Sequence, residues 1–288
     1  MTTESVMITG SSGYIGKRIV EELNKKQIES LGVDKVSGSS LTFDLSDKTK
    51  LREIIDEYEP STIIHCGTNS VGHYTDNYLQ SFEEDSRALI NLLGILQSRS
   101  ATRFIFFSSS YVYSGFKGKE PVDELTLLSP TNPFGVAKYF FEHLILSNHR
   151  NSLIFRLTNV FGRGTQKNNT TLLDWVSRAQ RGEEITIWGR GKRVVQYIYI
   201  EDVMKVILAS GSLRSGIWNI GGRNYRPVGD VARFISKIFG VRVRFLLDRK
   251  EGEMLPEIDT RRIRQEILEI GSESLEEEIG DYIEQLGS

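Results

Sequence analysis

A chain of 288 residues, 39% hydrophobic and 26% charged, is long enough to bury a substantial core, as one large α/β domain or as a larger and a smaller lobe. Its formal charge of -2 is too near neutral to argue for a nucleic-acid-binding face or an anionic membrane partner, so neither is expected. The single cysteine, Cys66, excludes a disulfide framework within the chain, and its place in the apolar run Thr62-Ile63-Ile64-His65-Cys66 reads as an inert, buried thiol. The first residues run into a strand without a leader's basic and apolar regions, and no apolar segment nears the roughly 18 residues that span a bilayer. A cytoplasmic protein without a metal centre is the expectation.

Residues 6–9 form a short apolar run ended by Gly10, and Ile15, Ile19, Val20 and Leu23 then recur at helical spacing over residues 14–23. The tight turn between them carries Gly10, Gly13 and Gly16, a GxxGxxG pattern slightly wider at its start than the usual dinucleotide fingerprint. Glycines there let the backbone approach a pyrophosphate, to which the helix N-terminus offers N–H groups and partial positive charge. Residues 31–33 predict a second strand ending in Asp34, placed to bind ribose hydroxyls and to repel a 2′-phosphate, which favours NAD over NADP. A third strand over 41–43 leads into a helix over 48–58, with Ser46 or Asp47 as its cap and Asp44 and Leu45 placed to border an adenine.

The alternation continues with a strand over 62–65, a long helix over 82–97 carrying Leu89, Leu92, Leu93 and Leu96 on one side, a strand over 104–107, a helix over 136–147 and a strand over 153–157. Such spacing predicts an α/β fold of βαβ units, a Rossmann-type doubly wound parallel sheet covered on both faces. Ligands bind at the carboxyl ends of such strands, where the Gly-rich turn, residues 65–68 and residues 108–110 all fall. After about residue 160 glycine and basic residues rise and the elements shorten: helices over 172–181, 200–209 and 228–239, strands over 185–187 and 194–199, and an acidic helix over 276–286. The expected division is a dinucleotide-binding domain over 1–160 and, over 161–288, mainly a smaller mixed α/β substrate lobe with some segments returning to the main sheet.

Jointly, the motifs resemble the extended short-chain dehydrogenase/reductase family, in particular its nucleotide-sugar epimerases, dehydratases and reductases. The resemblance rests on Thr9-Gly10-Ser11-Ser12-Gly13-Tyr14-Ile15-Gly16, Asp34, Asp44-Leu45, Ile63-Ile64-His65, the serines before Val112-Tyr113, and Asn132-Pro133-Phe134-Gly135-Val136-Ala137-Lys138. It continues through Arg156 to Gly162, Ile185 to Gly191, Tyr197-Ile198-Tyr199-Ile200-Glu201-Asp202-Val203, and Trp218-Asn219-Ile220-Gly221-Gly222. It implies NAD as cofactor, held by Gly10, Ser12, Gly13, Tyr14, Ile15, Gly16, Asp34, Asp44, Leu45, His65, Cys66, Gly67 and Lys138. It also implies a nucleoside-diphosphate sugar as substrate, contacted by Ser109, Ser110, Tyr111, Asn159 and two phosphate-binding arginines. The family's strand arginine corresponds to Val195, so Arg193, two residues earlier on the same strand face, is the expected substitute; Arg249 resembles the second.

In this family a Tyr-x-x-x-Lys pair on one helix does acid–base work while hydride passes to or from the nicotinamide. A tyrosine with an ordinary pKa near about 10 needs roughly 4 kcal/mol of stabilisation to act as a base near neutrality, supplied by the lysine and the positive nicotinamide. Lys138 fits the lysine and Ser109 the catalytic hydroxyl, but the tyrosine position is Phe134. Phenylalanine keeps the ring and has no proton to give. Three readings stay open: a Tyr→Phe replacement introduced to hold a substrate, a natural protein using Tyr111 or water as base, or a non-catalytic binder of NAD and sugar nucleotide. Tyr139 points about 100° away around the helix and is not favoured. Ser110-Tyr111 stands where dehydratases of the family carry Asp-Glu, so oxidoreduction at a sugar carbon, 4-epimerase or 4-ketoreductase, is the expected chemistry. The resemblance further implies a homodimer through a four-helix bundle, permitted by Leu89, Leu92, Leu93, Leu96, Phe140, Phe141 and Leu144.

Overall fold

The computed structural model describes residues 5–164, 171–268, 270–272 and 274–287. In chain order the elements are β1 (Ser5–Thr9), α1 (Tyr14–Lys25), β2 (Glu29–Asp34), β3 (Leu41–Thr42), α2 (Lys48–Tyr58), β4 (Thr62–His65), α3 (Val71–Asp76) and α4 (Tyr78–Leu96). There follow β5 (Arg103–Ser109), a 3₁₀ turn (Ser110–Tyr113), α5 (Pro133–Asn148), β6 (Ser152–Leu157), β7 (Asn159–Phe161), α6 (Thr171–Gln180), β8 (Ile185–Trp188) and β9 (Val194–Tyr199). The rest comprises α7 (Ile200–Ala209), β10 (Gly216–Ile220), β11 (Tyr225–Pro227), α8 (Val228–Phe239), β12 (Val243–Leu246), α9 (Arg261–Glu266) and α10 (Leu275–Gly287).

Seven strands form one sheet in the order β10-β6-β5-β4-β1-β2-β3. The pairs β1–β2, β1–β4, β4–β5 and β2–β3 are parallel. Chain order reverses between β1 and β4, which makes the carboxyl ends of those two strands the switch point of a Rossmann-type fold. Strand residues two apart share a face. Phe104 and Phe106 therefore point together, and with Met7, Ile63 and Ile154 they meet Leu51 and Ile55 of α2, Leu89, Leu92 and Leu96 of α4, and Phe141 and Ile145 of α5 in one apolar cluster.

That cluster accounts for the leucine stripe. Leu89, Leu92, Leu93, Leu96 and Phe141 are at most 3% exposed, so five of the seven residues proposed for a helix-bundle interface are core, while Leu144 is half-buried and Phe140 exposed. The exposed large apolar side chains on the same two helices are Leu79, Ile90, Val136, Phe140 and Leu146. Helix α4 starts at Tyr78, earlier than its leucine pattern indicates, and α3 has no apolar periodicity at all. α3 forms because the Ser70 side chain caps it, accepting from His73 N, and because Tyr74 is buried. At α2 the cap is Asp47, whose side chain accepts from Lys50 N.

The chain divides into two compact units. One comprises residues up to Val112, Pro130–Arg156 and Ile207–Trp218, and includes most of the large sheet; the other comprises Tyr113–Ser129, Leu157–Val206 and the residues from Asn219 onward. In the second unit β9 pairs with β7 in parallel and β11 in antiparallel, and β8 pairs with β12 in parallel. Two buried amides stitch this unit together. Gln196 donates to the Gly222 and Ile258 carbonyls and accepts from Ile258 N, while Asn219 donates to Val122 and Asp259 carbonyls and accepts from the Tyr113 hydroxyl at 2.8 Å. Gly222 follows because a Cβ there would lie 2.3 Å from the Tyr197 carbonyl oxygen.

Candidate cofactor and proton-handling site

The turn after β1 is built by close backbone approach. Gly10 has φ +68°, the left-handed region glycine adopts freely, and a Cβ on it would stand 2.5 Å from Gly67 N. A Cβ on Gly16 would stand 2.2 Å from the Gly10 carbonyl oxygen. The glycines thus let the first turn of α1, with Tyr14 and Ile15, settle on the end of β1 and on the Cys66-Gly67 segment after β4. No side chain caps α1, and Ser11 Oγ and Ser12 Oγ are buried without hydrogen-bond partners among the described residues. Asp34 ends β2 beside this turn, its Oδ2 accepting from Ser12 N at 2.9 Å and its Oδ1 from Val36 N at 3.1 Å. Unclaimed hydroxyls, an uncapped helix start and a fixed carboxylate fit the pyrophosphate and ribose of a dinucleotide.

Asp44 closes a local turn onto Ser46 N at 2.8 Å, a bond that lowers its pKa, and the Leu45 carbonyl accepts from Asn91 Nδ2 at 2.9 Å. His65 ends β4 with Nδ1 2.6 Å from Thr9 Oγ1; burial pulls its pKa down to about 3, so the ring is neutral. Burial pushes the Cys66 thiol up, which leaves it protonated and inert, as its apolar run indicates.

The three serines at the end of β5 separate by direction. Ser108 Oγ donates to Glu142 Oε1 at 2.5 Å, and that carboxylate is gripped by Arg156 at 2.6–3.2 Å, a pair only 2–3% exposed. Ser109, pointing the other way, accepts from Tyr111 N at 3.3 Å and is half-buried, while Ser110 begins the 3₁₀ turn and is buried. Of the two serines outside the Glu142–Arg156 pair, Ser109 is the more exposed.

Helix α5 starts with Asn132 accepting from Phe134 N at 3.0 Å and Pro133 in the first turn. Gly135 lets this turn lie on the 3₁₀ segment, since a Cβ there would stand 2.2 Å from the Tyr111 carbonyl oxygen. Lys138 is 3% exposed and donates to Thr68 Oγ1 at 2.9 Å and the Phe107 carbonyl at 3.0 Å. Its Nζ lies 4.7 Å from the Phe106 ring centroid and 5.4 Å from that of Phe134, so the four-residue spacing does bring positions 134 and 138 together. Burial lowers the Lys138 pKa to about 8 against the pull of Asp85, Cys66 and Glu142. Phe134 is 8% exposed and meets the Tyr74 and Tyr111 rings edge-on at 5.5 and 5.9 Å. Tyr139 packs on His143 at 4.6 Å instead.

Two residues around Lys138 escaped the sequence reading, Tyr74 and Asp85, while Thr68 lies in the 65–68 segment expected at the ligand-binding end of its strand. Asp85 carried a signal, because it stands one and two turns before Leu89 and Leu92 on the apolar side of α4, where a lone carboxylate is out of pattern. Tyr74 carried none.

In the second unit, Asn159 begins β7 and donates to the Gln196 carbonyl at 3.3 Å. Arg193 stands one residue before β9, its carbonyl accepting from Val228 N at 2.9 Å in line with the β9–β11 pairing. The Glu251 carboxylate accepts from the backbone N–H groups of Arg190, Lys192 and Arg193, and a Cβ on Gly252 would lie 3.2 Å from Arg193 Nη1. Arg249 is exposed, three residues before Gly252. Among the described residues no group of three or more His, Cys, Asp or Glu could hold a metal ion, and no helix is long and apolar enough to cross a membrane.

Comparison with known proteins gives the same frame. The putative UDP-glucose 4-epimerase of Methanocaldococcus jannaschii is 24% identical over 267 residues, 86% of this chain and 87% of its own length. The trifunctional UDP-glucose 4,6-dehydratase/UDP-4-keto-6-deoxy-D-glucose 3,5-epimerase/UDP-4-keto-L-rhamnose-reductase RHM1 of Arabidopsis thaliana is 25% identical, and the match spans 92% of this chain but only 44% of that protein. The crystal structure of the Thermotoga maritima UDP-glucose 4-epimerase with UDP-glucose superposes with a TM-score of 0.87 over 98% of both chains at 22% identity, a likeness of fold. The profile of the NAD dependent epimerase/dehydratase family matches residues 6–221, and with the turn, carboxylate and lysine in place the chain belongs to that family.

Proposed function

We propose that this protein binds NAD and a nucleoside-diphosphate sugar in a site that serves oxidation and reduction at the sugar's C4, in the manner of a 4-epimerase or 4-ketoreductase. The observation that carries the reading is Lys138, buried and aimed by Thr68 and the Phe107 carbonyl at the end of β5, where Ser109 keeps its hydroxyl outside the Glu142–Arg156 pair. NAD, when bound, would supply the hydride acceptor and donor. Gly10, Gly13 and Gly16 admit its pyrophosphate, Asp34 takes the adenosine ribose, and Lys138 takes the nicotinamide ribose. Ser109 orients the reacting sugar oxygen. Asn159 with Arg193 and Arg249 on the second unit are assigned to the sugar nucleotide, with UDP favoured by the relatives' substrates. The dehydratase branch is disfavoured, because Ser110-Tyr111 offers no carboxylate for proton removal from the sugar. A cytoplasmic homodimer is part of the proposal, with Ile90, Val136 and Phe140 as its apolar contact.

Phe134 limits turnover, since its ring lies where an oxygen is wanted. A second reading, a non-catalytic binder of the same two ligands, is favoured by the closure of Phe134 between Tyr74 and Tyr111. Assaying the parent protein and Phe134→Tyr against UDP-, dTDP-, GDP- and CDP-sugars separates the two. The expected result is product sugar from the tyrosine variant with at least one of them. Binding of NAD and a sugar nucleotide with no turnover by either protein would leave the binder as the function.

A further inference from the structure

Asp85 is a carboxylate in the wrong company. It is 4% exposed, on the side of α4 that carries Leu89 and Leu92, and no hydrogen-bonded cation meets it among the described residues. Both its oxygens are nonetheless served. Oδ1 accepts from Asn69 N and Asn69 Nδ2, each at 3.0 Å, and Oδ2 accepts from Asn69 N at 3.1 Å and from the Tyr74 hydroxyl at 2.9 Å. Burial raises the Asp85 carboxyl above the usual carboxylate range, against the pull of Lys138, the Asn69 N–H groups and the Tyr74 hydroxyl, and its charged form, buried this deeply, requires a compensating positive charge nearby.

The links from Asp85 lead to Lys138 by two routes. Asn69 follows Thr68, whose hydroxyl accepts from Lys138 Nζ, and Tyr74 lays its ring against Phe134, which in turn lies beside the same ammonium. The other groups facing Lys138 are accounted for: Glu142 on α5 is neutralised by Arg156, Cys66 after β4 keeps its proton, and His65 is neutral. Asp85 itself faces Lys138, Tyr74 and the Asn69 amides. Phe134 cannot place a phenolate beside the lysine.

We propose that Asp85 is the counter-charge of Lys138, a positioning residue that keeps the buried ammonium protonated and pointed along β5 in a site with no tyrosine to share the task. The pairing rests on these linked contacts together with the electrostatic attraction between the two groups; its consequence for the cofactor rests on the assignment of Lys138 to the nicotinamide ribose. Asp85 acts as the largest pull toward the charged lysine, against a burial that sets Lys138 near 8. Deprotonation of Lys138 then removes a donor from the ribose, so NAD affinity falls as pH rises through that midpoint.

The test follows Lys138 directly. In protein labelled with 13C at the lysine ε-carbons, its signal, assigned by its loss in Lys138→Met, is titrated with pH in the parent and in Asp85→Asn, with NAD affinity measured at each pH. The midpoint is expected to fall by about one unit or more in Asp85→Asn, and NAD affinity at pH 8 to fall roughly fivefold for the first unit and about tenfold for each further unit. A midpoint unchanged within about 0.3 unit overturns the pairing whatever NAD binding does. A midpoint that falls while NAD affinity stays constant upholds the pairing and removes Lys138 from the ribose. Should Asp85→Asn fail to fold, the side-chain carboxyl 13C signal of Asp85 in the parent protein decides: ionised at pH 7 upholds the proposal, protonated at pH 7 overturns it.

Discussion

At the scale of single residues, the site is a set of polar atoms held in place by the protein's own hydrogen bonds. Asp34 is tied to Ser12 N and Val36 N, so its carboxylate is already aimed at the turn where a ribose would sit. Asp34→Ala is therefore expected to weaken NAD binding about tenfold, near 1.4 kcal/mol, and NADP binding by less, because a 2′-phosphate gains nothing from the carboxylate. Fluorescence titration of both dinucleotides checks this; equal weakening would remove Asp34 from the ribose. The serine cluster shows why direction outranks residue type. Ser108 and Ser109 are neighbours of identical chemistry, yet the pleat sends one into the Glu142–Arg156 pair and leaves the other outside it.

At the scale of elements, the decisive contact is the first turn of α5 against the 3₁₀ turn after β5. Gly135 permits it. Gly135→Ala is expected to force these segments apart, costing about 1–3 kcal/mol of stability and weakening NAD binding through displacement of Lys138. Chemical denaturation and a dinucleotide titration measure the two effects; full stability and affinity would show that the close approach is not needed. Elements with strong apolar periodicity were legible in the sequence: α2, β9, α7 and α8 stand where their patterns put them. α3 was not, because Ser70, His73, Tyr74 and Thr75 make a helix only through a cap and one buried ring. Nor were β10, β11 and β12, short strands whose partners are distant in the chain. Of the candidate site, the glycines, Asp34, Ser109 and Lys138 could be read from local motif. Tyr74 joins it by folding alone, Asp85 shows in the sequence only as a lone carboxylate on the apolar side of α4, and the backbone N–H of Arg193 is claimed by a carboxylate 58 residues away.

At the scale of the whole molecule, stability itself should depend on pH through the carboxyl-terminal helix. Glu278 on α10 is buried, accepts from Ser272 N at 2.9 Å and lies near Asp202 and Asp281; burial raises its pKa from 4.5 to about 7. The folded state thus holds a proton that the unfolded state releases between these values, and stability falls as pH rises from 4.5 through about 7. Glu278→Gln removes that loss while keeping the acceptor for Ser272. It is expected to raise the thermal midpoint at pH 8, by up to about 3 kcal/mol of stability, and to leave it near the parent value at pH 4.5. A midpoint shift equal at both pH values would contradict the titration.

The account turns on position 134, where a ring without an oxygen stands beside an aligned lysine. The most direct measurement is the near-ultraviolet absorbance of reduced nicotinamide in Phe134→Tyr mixed with NAD and UDP-glucose, read beside the parent protein. The account predicts reduced nicotinamide or an epimerised sugar with the tyrosine variant at a rate at least a hundredfold above the parent, the usual scale of a positioned acid–base group. Equal rates, with both ligands bound, would contradict it.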